Sequence, residues 1–288
     1  MRNYLDLLLD VLENGYRQGN RTGIDTLSIP GAMLRFDLAK GFPAVTTKKL
    51  AFKAVVGELI GFLRGYDSAA DFRRLNCRIW DQNANENGQW LSNPNRKGED
   101  DLGRIYGVQW RRWNRSGGGE LDQVMTALND IRNNPTSRRI IINAWRPDEF
   151  DQMALPPCHV LYQFIVNTER KELNLCMYQR SADLFLGSAF NIASSALLLS
   201  IFARLTGYRP RVLSLFMGDA HIYENHLDQV LEQTRREPRR LPQLKISDRI
   251  PVGTTEHFDP TWIDRIEPDD FSLDGYDPHP AIKAPMAV

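Results

Sequence analysis

The stretch AFNIASSALLLSIFARLTG, residues 189–207, decides the fold. Its apolar side chains surround the helix axis almost completely, whereas a surface helix keeps them on one stripe. Such a helix must be buried on all sides. The stretch therefore predicts a helix in the centre of the domain.

The segments outside this helix predict a mixture of helices and strands. Strand patterns occur in RRIIINAW (138–145), HVLYQFIV (159–166), ELNLCMYQR (172–180) and RVLSLFMGDAHIY (211–223). Helical stripes occur at 4–13, 51–65, 120–135 and 225–237. NRTGIDTLSIPGAMLRFDL (20–38) alternates and turns, which predicts short strands with Arg21 on the preceding turn. Because the elements do not alternate regularly as βαβ units, we expect an α+β fold.

One domain is expected to cover residues 1–288, because no linker, repeat or low-complexity tract divides the chain. The segment QNANENGQWLSNPNRKGEDD (82–101) is rich in asparagine and glycine and predicts a long surface loop. Loops of this length are uncommon. This one is either a cover over a functional site or a simple surface insertion.

Composition predicts a soluble cytoplasmic protein. The 288 residues are 42% hydrophobic with a formal net charge of zero, so an anionic ligand must be bound by local charges. The first residues, MRNYLDLLLDVLENG, carry acids among the leucines, unlike a signal peptide or a membrane span. Three widely spaced cysteines do not form the pattern of a secreted disulfide framework.

Cys158 is the candidate nucleophile. The segment MALPPCH holds it between two prolines and a predicted strand, and His159 follows it. A nucleophile must be held at a defined point, and neighbouring cations would favour the reactive thiolate. The alternative is a buried structural cysteine, which is how we interpret Cys77 and Cys176.

Several arginines are candidates for an anion site, because the planar guanidinium suits a phosphate dianion. Each of them taken singly is also compatible with a solvated surface position. Ser181 and Asp183 follow one of them at a strand end. The candidates are Arg21, Arg138, Arg139 and Arg180.

Further polar residues interrupt apolar patterns in three places of the sequence. Glu58 is a candidate acid–base group or a salt-bridged structural residue, because burial raises the pKa of a carboxyl. The amide of Asn191 suits the imide edge of uracil, and its alternative role is a hydrogen bond at the helix start. His221, Tyr223 and His226 could ligate a metal, but no recognised metal-ligand spacing accompanies them.

Together these residue types describe nucleophilic attack on a phosphorylated pyrimidine. At these positions the sequence resembles the thymidylate synthase family, nearly from end to end. The segments that carry the resemblance are NRTGIDTLSIPG, FPAVTTKKL, GELIGFLRG, IWDQNA, DLGRIYGVQWR, SRRIIINAW, MALPPCH, YQRSADLFLGSAFNIAS, GDAHIYENH, REPRRLP and YDPHPAIKAPMAV.

The resemblance implies a large central mixed β-sheet flanked by helices, with two sheets packed back to back in a homodimer. It implies reductive methylation of dUMP to dTMP, with 5,10-methylenetetrahydrofolate as co-substrate and without a metal. Cys158 would add to C6 of dUMP, while Glu58 and Tyr106 would serve proton transfers and Asn191 would read the base. The implied dUMP site comprises Arg21, Arg180, Ser181, Asp183, Asn191, His221 and Tyr223, with Arg138 and Arg139 donated by the partner subunit. The implied folate site comprises Trp80, Asp183 and the C-terminal Ala287-Val288.

Three positions depart from the family pattern, and all are expected to touch the folate side or its approach. Ala51 and Asn83 replace a common histidine and tryptophan, and Gly61 replaces the tryptophan of WFLRG. A dUMP hydroxymethylase on the same scaffold remains an alternative, whereas a dCMP hydroxymethylase would favour aspartate at position 191. The zero net charge and the full set of catalytic residue types argue against a non-catalytic RNA- or nucleotide-binding module.

Overall fold

The computed structural model describes residues 1–254 and 256–285. The helices are α1 (Arg2–Asn14), α2 (Phe52–Leu63), α3 (Ala69–Arg74), α4 (Asp81–Asn85), α5 (Gly88–Leu91), α6 (Tyr106–Arg111), α7 (Gln123–Asn133), α8 (Gly187–Thr206) and α9 (Leu227–Thr234). The strands are β1 (Tyr16–Gln18), β2 (Thr26–Asp37), β3 (Trp113–Asn114), β4 (Glu120–Leu121), β5 (Ile141–Asn143), β6 (His159–Asn167), β7 (Glu172–Asp183), β8 (Arg209–Tyr223), β9 (Gln243–Ile246) and β10 (Phe271–Asp274).

The main sheet has the strand order β1-β2-β8-β7-β6-β5. Neighbouring strands are antiparallel except for β7 and β8, which are parallel. A parallel pair requires a crossover connection, and α8 provides it. The fold is therefore α+β with one large mixed sheet, as the sequence predicts.

Helix α8 is the core element that the sequence predicts. Its most apolar 18-residue window would suit a membrane span by composition, but 83% of that window is buried inside the protein. It is therefore a core helix. Gly207 ends it with φ of 77°, and a Cβ there would lie 2.3 Å from the carbonyl oxygen of Gly253. Only glycine permits both this conformation and this close approach.

The two faces of the sheet differ. One face packs on α8 through buried residues such as Met177 and Leu215, which pair with each other in the ladder. The opposite face presents large exposed hydrophobic side chains, and the ladder aligns several of them across neighbouring strands. They are Met33, Ile141, Ile165, Tyr178 and Phe216.

The segment 82–101, predicted as a long surface loop, is not a loop along its whole length. Helix α5 and most of α4 lie within this segment, and Trp90 is only 2% exposed, with its indole N–H donating to Asp101 O at 2.6 Å. Asn87 caps α5 by accepting from the backbone N–H of Gln89. The asparagines that indicate a loop by composition thus act as helix caps and turn bonds.

Candidate functional site

A cavity of about 710 Å³ opens where β7 and β8 end and α8 begins. Most of the residues singled out from the sequence line it: Arg21, Glu58, Trp80, Asn83, Tyr106, Cys158, Arg180, Ser181, Asp183, Asn191, His221 and Tyr223. Arg138, Arg139 and Ala51 are not part of this lining. Ala287 and Val288 lie outside the described residues.

Cys158 lies directly before β6, half-buried in the cavity wall. Its backbone N–H donates to the Tyr106 hydroxyl oxygen at 2.7 Å, and its carbonyl accepts from the backbone N–H of Arg180 at 2.9 Å. These two bonds fix the backbone on both sides of the thiol. Cys77, in contrast, is fully buried in the core, as expected of a packing residue.

The carbonyl groups of the two prolines before Cys158 bind the guanidinium of Arg180. The Pro157 carbonyl accepts from Nε of Arg180 at 2.8 Å, and the Pro156 carbonyl accepts from its Nη2 at 3.0 Å. The same Nη2 lies 3.8 Å from Sγ of Cys158. Proline has no N–H and a fixed φ, so this corner presents carbonyl oxygens in a rigid array. It holds a guanidinium beside the thiol.

His159 does not act as a cation for the thiol. It is buried, and burial lowers its pKa to about 4, although a hydrogen bond with Asn191 acts in the opposite direction. Its Nδ1 lies 3.0 Å from the hydroxyl of Tyr162. The imidazole is therefore neutral at pH 7, and Arg180 is the cation that contacts Cys158.

Glu58 and Tyr106 form the wall beside the thiol. Burial raises the pKa of Glu58 to about 7, although the Trp80 indole N–H, which donates to the carboxylate at 3.1 Å, acts to lower it. Burial, followed by the nearby Cys158, raises the pKa of Tyr106 well above its ordinary value. The Phe62 ring stacks on Tyr106 with 5.0 Å between centroids. A carboxyl poised near neutrality can both accept and donate a proton.

Asn191 lies one turn into α8, and Gln179 holds its amide. Nε2 of Gln179 donates to Oδ1 of Asn191 at 3.1 Å and to the Ser181 carbonyl at 2.9 Å. Oε1 of Gln179 is buried and has no hydrogen-bond partner within the part of the chain that the structure describes. The alternative role of Asn191 as a helix-start bond is not seen, because its amide bonds to strand β7 instead.

Asp183 ends β7 and turns the chain into α8. Its Oδ1 accepts from the backbone N–H groups of Phe185 and Leu186 at 2.9 and 3.1 Å. On the neighbouring strand, the rings of His221 and Tyr223 meet edge to face with 5.2 Å between centroids. The parallel pairing of Asp183 with His221 brings these groups to the same end of the sheet.

The arginines occupy two different places. Arg21 is exposed on the turn before β2 and faces the same cavity as Arg180. Arg138 and Arg139 are exposed before β5, where Gln163 on the open sheet face donates to the carbonyl of Arg138 at 2.9 Å. The chain itself therefore brings two of the four arginines to one cavity.

The three departures from the family pattern lie in three different environments, and the expectation that they touch the folate side or its approach stays a prediction. Asn83 lines the cavity, whereas Ala51 is exposed at the start of α2. Gly61 faces the core, where a Cβ would lie 2.2 Å from Cε1 of the fully buried Phe72. The Phe72 ring thus fills the space beside the backbone of residue 61.

The ring of His226 packs edge to face on that of Tyr223, with 5.7 Å between centroids, but His226 does not line the cavity with His221 and Tyr223. Its Nε2 donates to the carbonyl of Pro285 at 2.7 Å, and its ring packs against Phe185. The histidine therefore anchors the segment before the C-terminus to the body of the domain. The sequence prediction that no metal is needed stays a prediction.

Sequence reasoning missed several lining residues. Gln179 could have been found, because it continues the inward row of Leu173, Leu175 and Met177, where a polar side chain is out of place. Asn87 and Gln89 were missed because their segment was interpreted as a loop. No pattern indicates Trp145, which lies just after β5.

The arrangement can hold an anion between two arginines, present a thiol beside a guanidinium, and offer an oriented amide to a polar ring. Comparison with known proteins agrees with this chemistry. The chain is 52% identical to a thymidylate synthase of Pseudomonas putida and 50% identical to those of Pseudomonas syringae pv. tomato and Bordetella parapertussis. Each alignment covers all of both chains. Residues 2–288 match the sequence model of the family described as thymidylate synthase. The chain therefore belongs to the thymidylate synthase family.

Proposed function

We propose that this chain is a methyltransferase that converts dUMP to dTMP, with 5,10-methylenetetrahydrofolate as the source of the methylene group and the hydride, releasing dihydrofolate. The observation that carries the proposal is the Cys158 corner, where Tyr106 and Arg180 hold the thiol at the wall of the cavity. The family membership of the whole chain supports the same reaction.

Cys158 starts the reaction by adding its thiolate to C6 of the pyrimidine, which places the electron pair on C5 and O4. The adjacent guanidinium of Arg180 favours the charged thiolate. At the end of the reaction the sulfur leaves C6 again, and the electron pair of the S–C6 bond returns to the thiolate. The nucleophile is thus regenerated.

Asn191 selects the uracil base. Uracil presents N3–H as a donor and O4 as an acceptor, and one amide can bind both. Gln179 supports this role because its Nε2 occupies one lone pair of Oδ1 and thereby fixes the amide plane. Glu58 exchanges a proton with the O4 side through water, and Tyr106 assists removal of the C5 proton.

The phosphate binds between Arg21 and Arg180. Nε and Nη2 of Arg180 are bonded to the protein, while its Nη1 donates to no atom of residues 1–254 or 256–285, so that this arm is available to an anion. Ser181 completes the cluster, and His221 and Tyr223 hold the deoxyribose hydroxyl. This use of the charges agrees with the zero net charge of the chain.

The enzyme acts as a homodimer in which Arg138 and Arg139 reach the partner subunit's phosphate. The exposed hydrophobic row on the open face of the sheet supports this, because rows of this kind are typical of subunit interfaces. Gln163 belongs to that face and holds the backbone of Arg138, so the arginines lie at its edge. Two sheets would then pack back to back.

The folate binds beside Trp80 and Asp183. Oδ1 of Asp183 is engaged in the turn, and its other oxygen accepts no hydrogen bond within the described part of the chain, which fits an acceptor for a ring N–H. Ala287 and Val288 close over this side. The enzyme is cytoplasmic and requires no metal.

A product assay tests the function. The purified protein is incubated with dUMP and 5,10-methylenetetrahydrofolate, and we expect dTMP and dihydrofolate in equal amounts. Hydroxymethyl-dUMP as the main product would contradict the hydride step, and no covalent adduct at Cys158 would contradict the nucleophile. Asn191→Asp should shift the preference from dUMP toward dCMP, because an acceptor then faces the cytosine amino group.

A further inference from the structure

Trp145 lies in the cavity wall against the arginine that contacts the thiol. The Cζ atom of Arg180 lies 5.4 Å from the centroid of the Trp145 ring, within the range of a cation–π contact. The backbone of Trp145 is held in place, because its N–H donates to Oδ1 of Asn143 at 2.9 Å. Phe150 packs edge to face on its ring with 4.6 Å between centroids.

The indole supplies a restraint that the hydrogen bonds of Arg180 do not. The carbonyls of Pro156 and Pro157 bind two nitrogens at one edge of the guanidinium. They leave the tilt of its plane, and with it the position of Nη1, less well defined. A flat π-face beside the group restricts that tilt, because the attraction depends on the geometry between the cation and the ring.

We propose that Trp145 is a positioning residue for the nucleophile, acting through Arg180 by holding the guanidinium beside Sγ of Cys158 with Nη1 free in the cavity. In this proposal Trp145 acts through Arg180 rather than on the reacting atoms, so it is not a catalytic residue. The inference rests on the proposed function only in taking Cys158 as the nucleophile.

The test measures the reactivity of Cys158 without either substrate. Iodoacetamide is neutral and alkylates the thiolate by displacement of iodide, and mass spectrometry of the Cys158 peptide separates this site from Cys77 and Cys176. Cys158 in the Trp145→Leu variant should be alkylated about three- to tenfold more slowly at pH 7, as expected for the loss of a partly buried cation–π contact. Trp145→Phe should restore most of the rate, because its ring can still face the guanidinium.

Trp113 offers a matched control. An arginine also lies over its ring, with Cζ of Arg146 at 4.7 Å from the centroid, but neither Trp113 nor Arg146 lines the cavity. Cys158 in the Trp113→Leu variant should therefore be alkylated at the parental rate. Slowing of Trp113→Leu by the same factor would overturn the proposal, since it would show a general effect of losing a tryptophan.

Two other outcomes overturn the inference: a parental or faster rate in Trp145→Leu, or a Trp145→Phe rate as slow as that of Trp145→Leu. If Trp145→Leu does not fold, Trp145→Met gives the same decision. The result is independent of the product assay. Failure to form dTMP with the expected alkylation pattern would refute the proposed function and leave this inference standing.

Discussion

Glu58→Gln should make the protein more stable, and by an amount that depends on pH. The folded-state pKa of Glu58 is raised from 4.5 to about 7, with burial as the main cause. The folded state therefore keeps a proton that the unfolded state loses, and stability falls as pH rises from about 4.5 to about 7 before levelling off. At about 1.4 kcal/mol per pH unit, the full penalty is about 3 kcal/mol.

Glutamine removes this penalty because it does not ionise, and its Oε1 can still accept the hydrogen bond from Trp80. The free energy of unfolding of the substrate-free protein would be measured by urea denaturation at a fixed protein concentration at pH 5 and pH 8. We expect the advantage of Glu58→Gln to grow by about 2.5 kcal/mol between these pH values. An advantage that is the same at both would refute the reasoning.

Glu149 provides a control of opposite sign. Burial acts to raise its pKa, but hydrogen bonds from three side chains hold it below its ordinary value. Those donors are Arg104, Gln109 and Asn114. Glu149→Gln should therefore destabilise the protein by about 3 kcal/mol, because it leaves a half-buried arginine without its counter-charge. If both substitutions stabilised the protein, burial of the carboxylate alone, rather than its hydrogen-bond donors, would determine the sign of the change in the free energy of unfolding.

The remaining predictions concern the nucleophile, the dimer and the core. Cys158→Ser should lower dTMP formation more than about a thousandfold and keep the Kd for dUMP within about tenfold; substantial turnover would contradict the nucleophile. Arg139→Ala should be inactive alone but regain activity after subunit exchange with Cys158→Ser chains, and verified exchange without activity would count against a shared site. Gly61→Ala should lower the free energy of unfolding by about 1–2 kcal/mol, since overpacking against Phe72 outweighs the gain in helix propensity. Gly88→Ala, whose added methyl would meet open space, should not destabilise.

Much of the fold could be predicted because the decisive patterns are local. The apolar surface of α8 and the alternation along most of β7 follow from residues within each segment. The parallel pairing of β7 with β8 does not follow from local residues, because it depends on where α8 returns the chain to the sheet. The loop prediction at 82–101 missed two short helices because asparagine favours helix caps as well as turns, and it missed the burial of Trp90 because the partner of its indole lies 11 residues away.

The site was predicted as a set of residue types rather than as an arrangement. Cys158 could be found from its proline corner, but that the corner serves Arg180 is visible only in space. The neutrality of His159 follows from burial, which adjacency in sequence does not reveal. Trp145 was missed because a tryptophan at a strand end has a packing explanation that local sequence cannot distinguish from a role beside a guanidinium.

The pairing of β2 with β8 has a consequence for how the protein is made. Thr26 pairs with Tyr223, 197 positions later in the chain. The turn that carries Arg21 therefore joins the rest of the cavity only after most of the polypeptide has left the ribosome. Contacts between residues so far apart in the sequence also make folding slow. A nascent or truncated chain without β8 has no complete pocket to occupy. Nucleotide can therefore stabilise only the finished fold, and its binding during refolding would report the closing of the sheet.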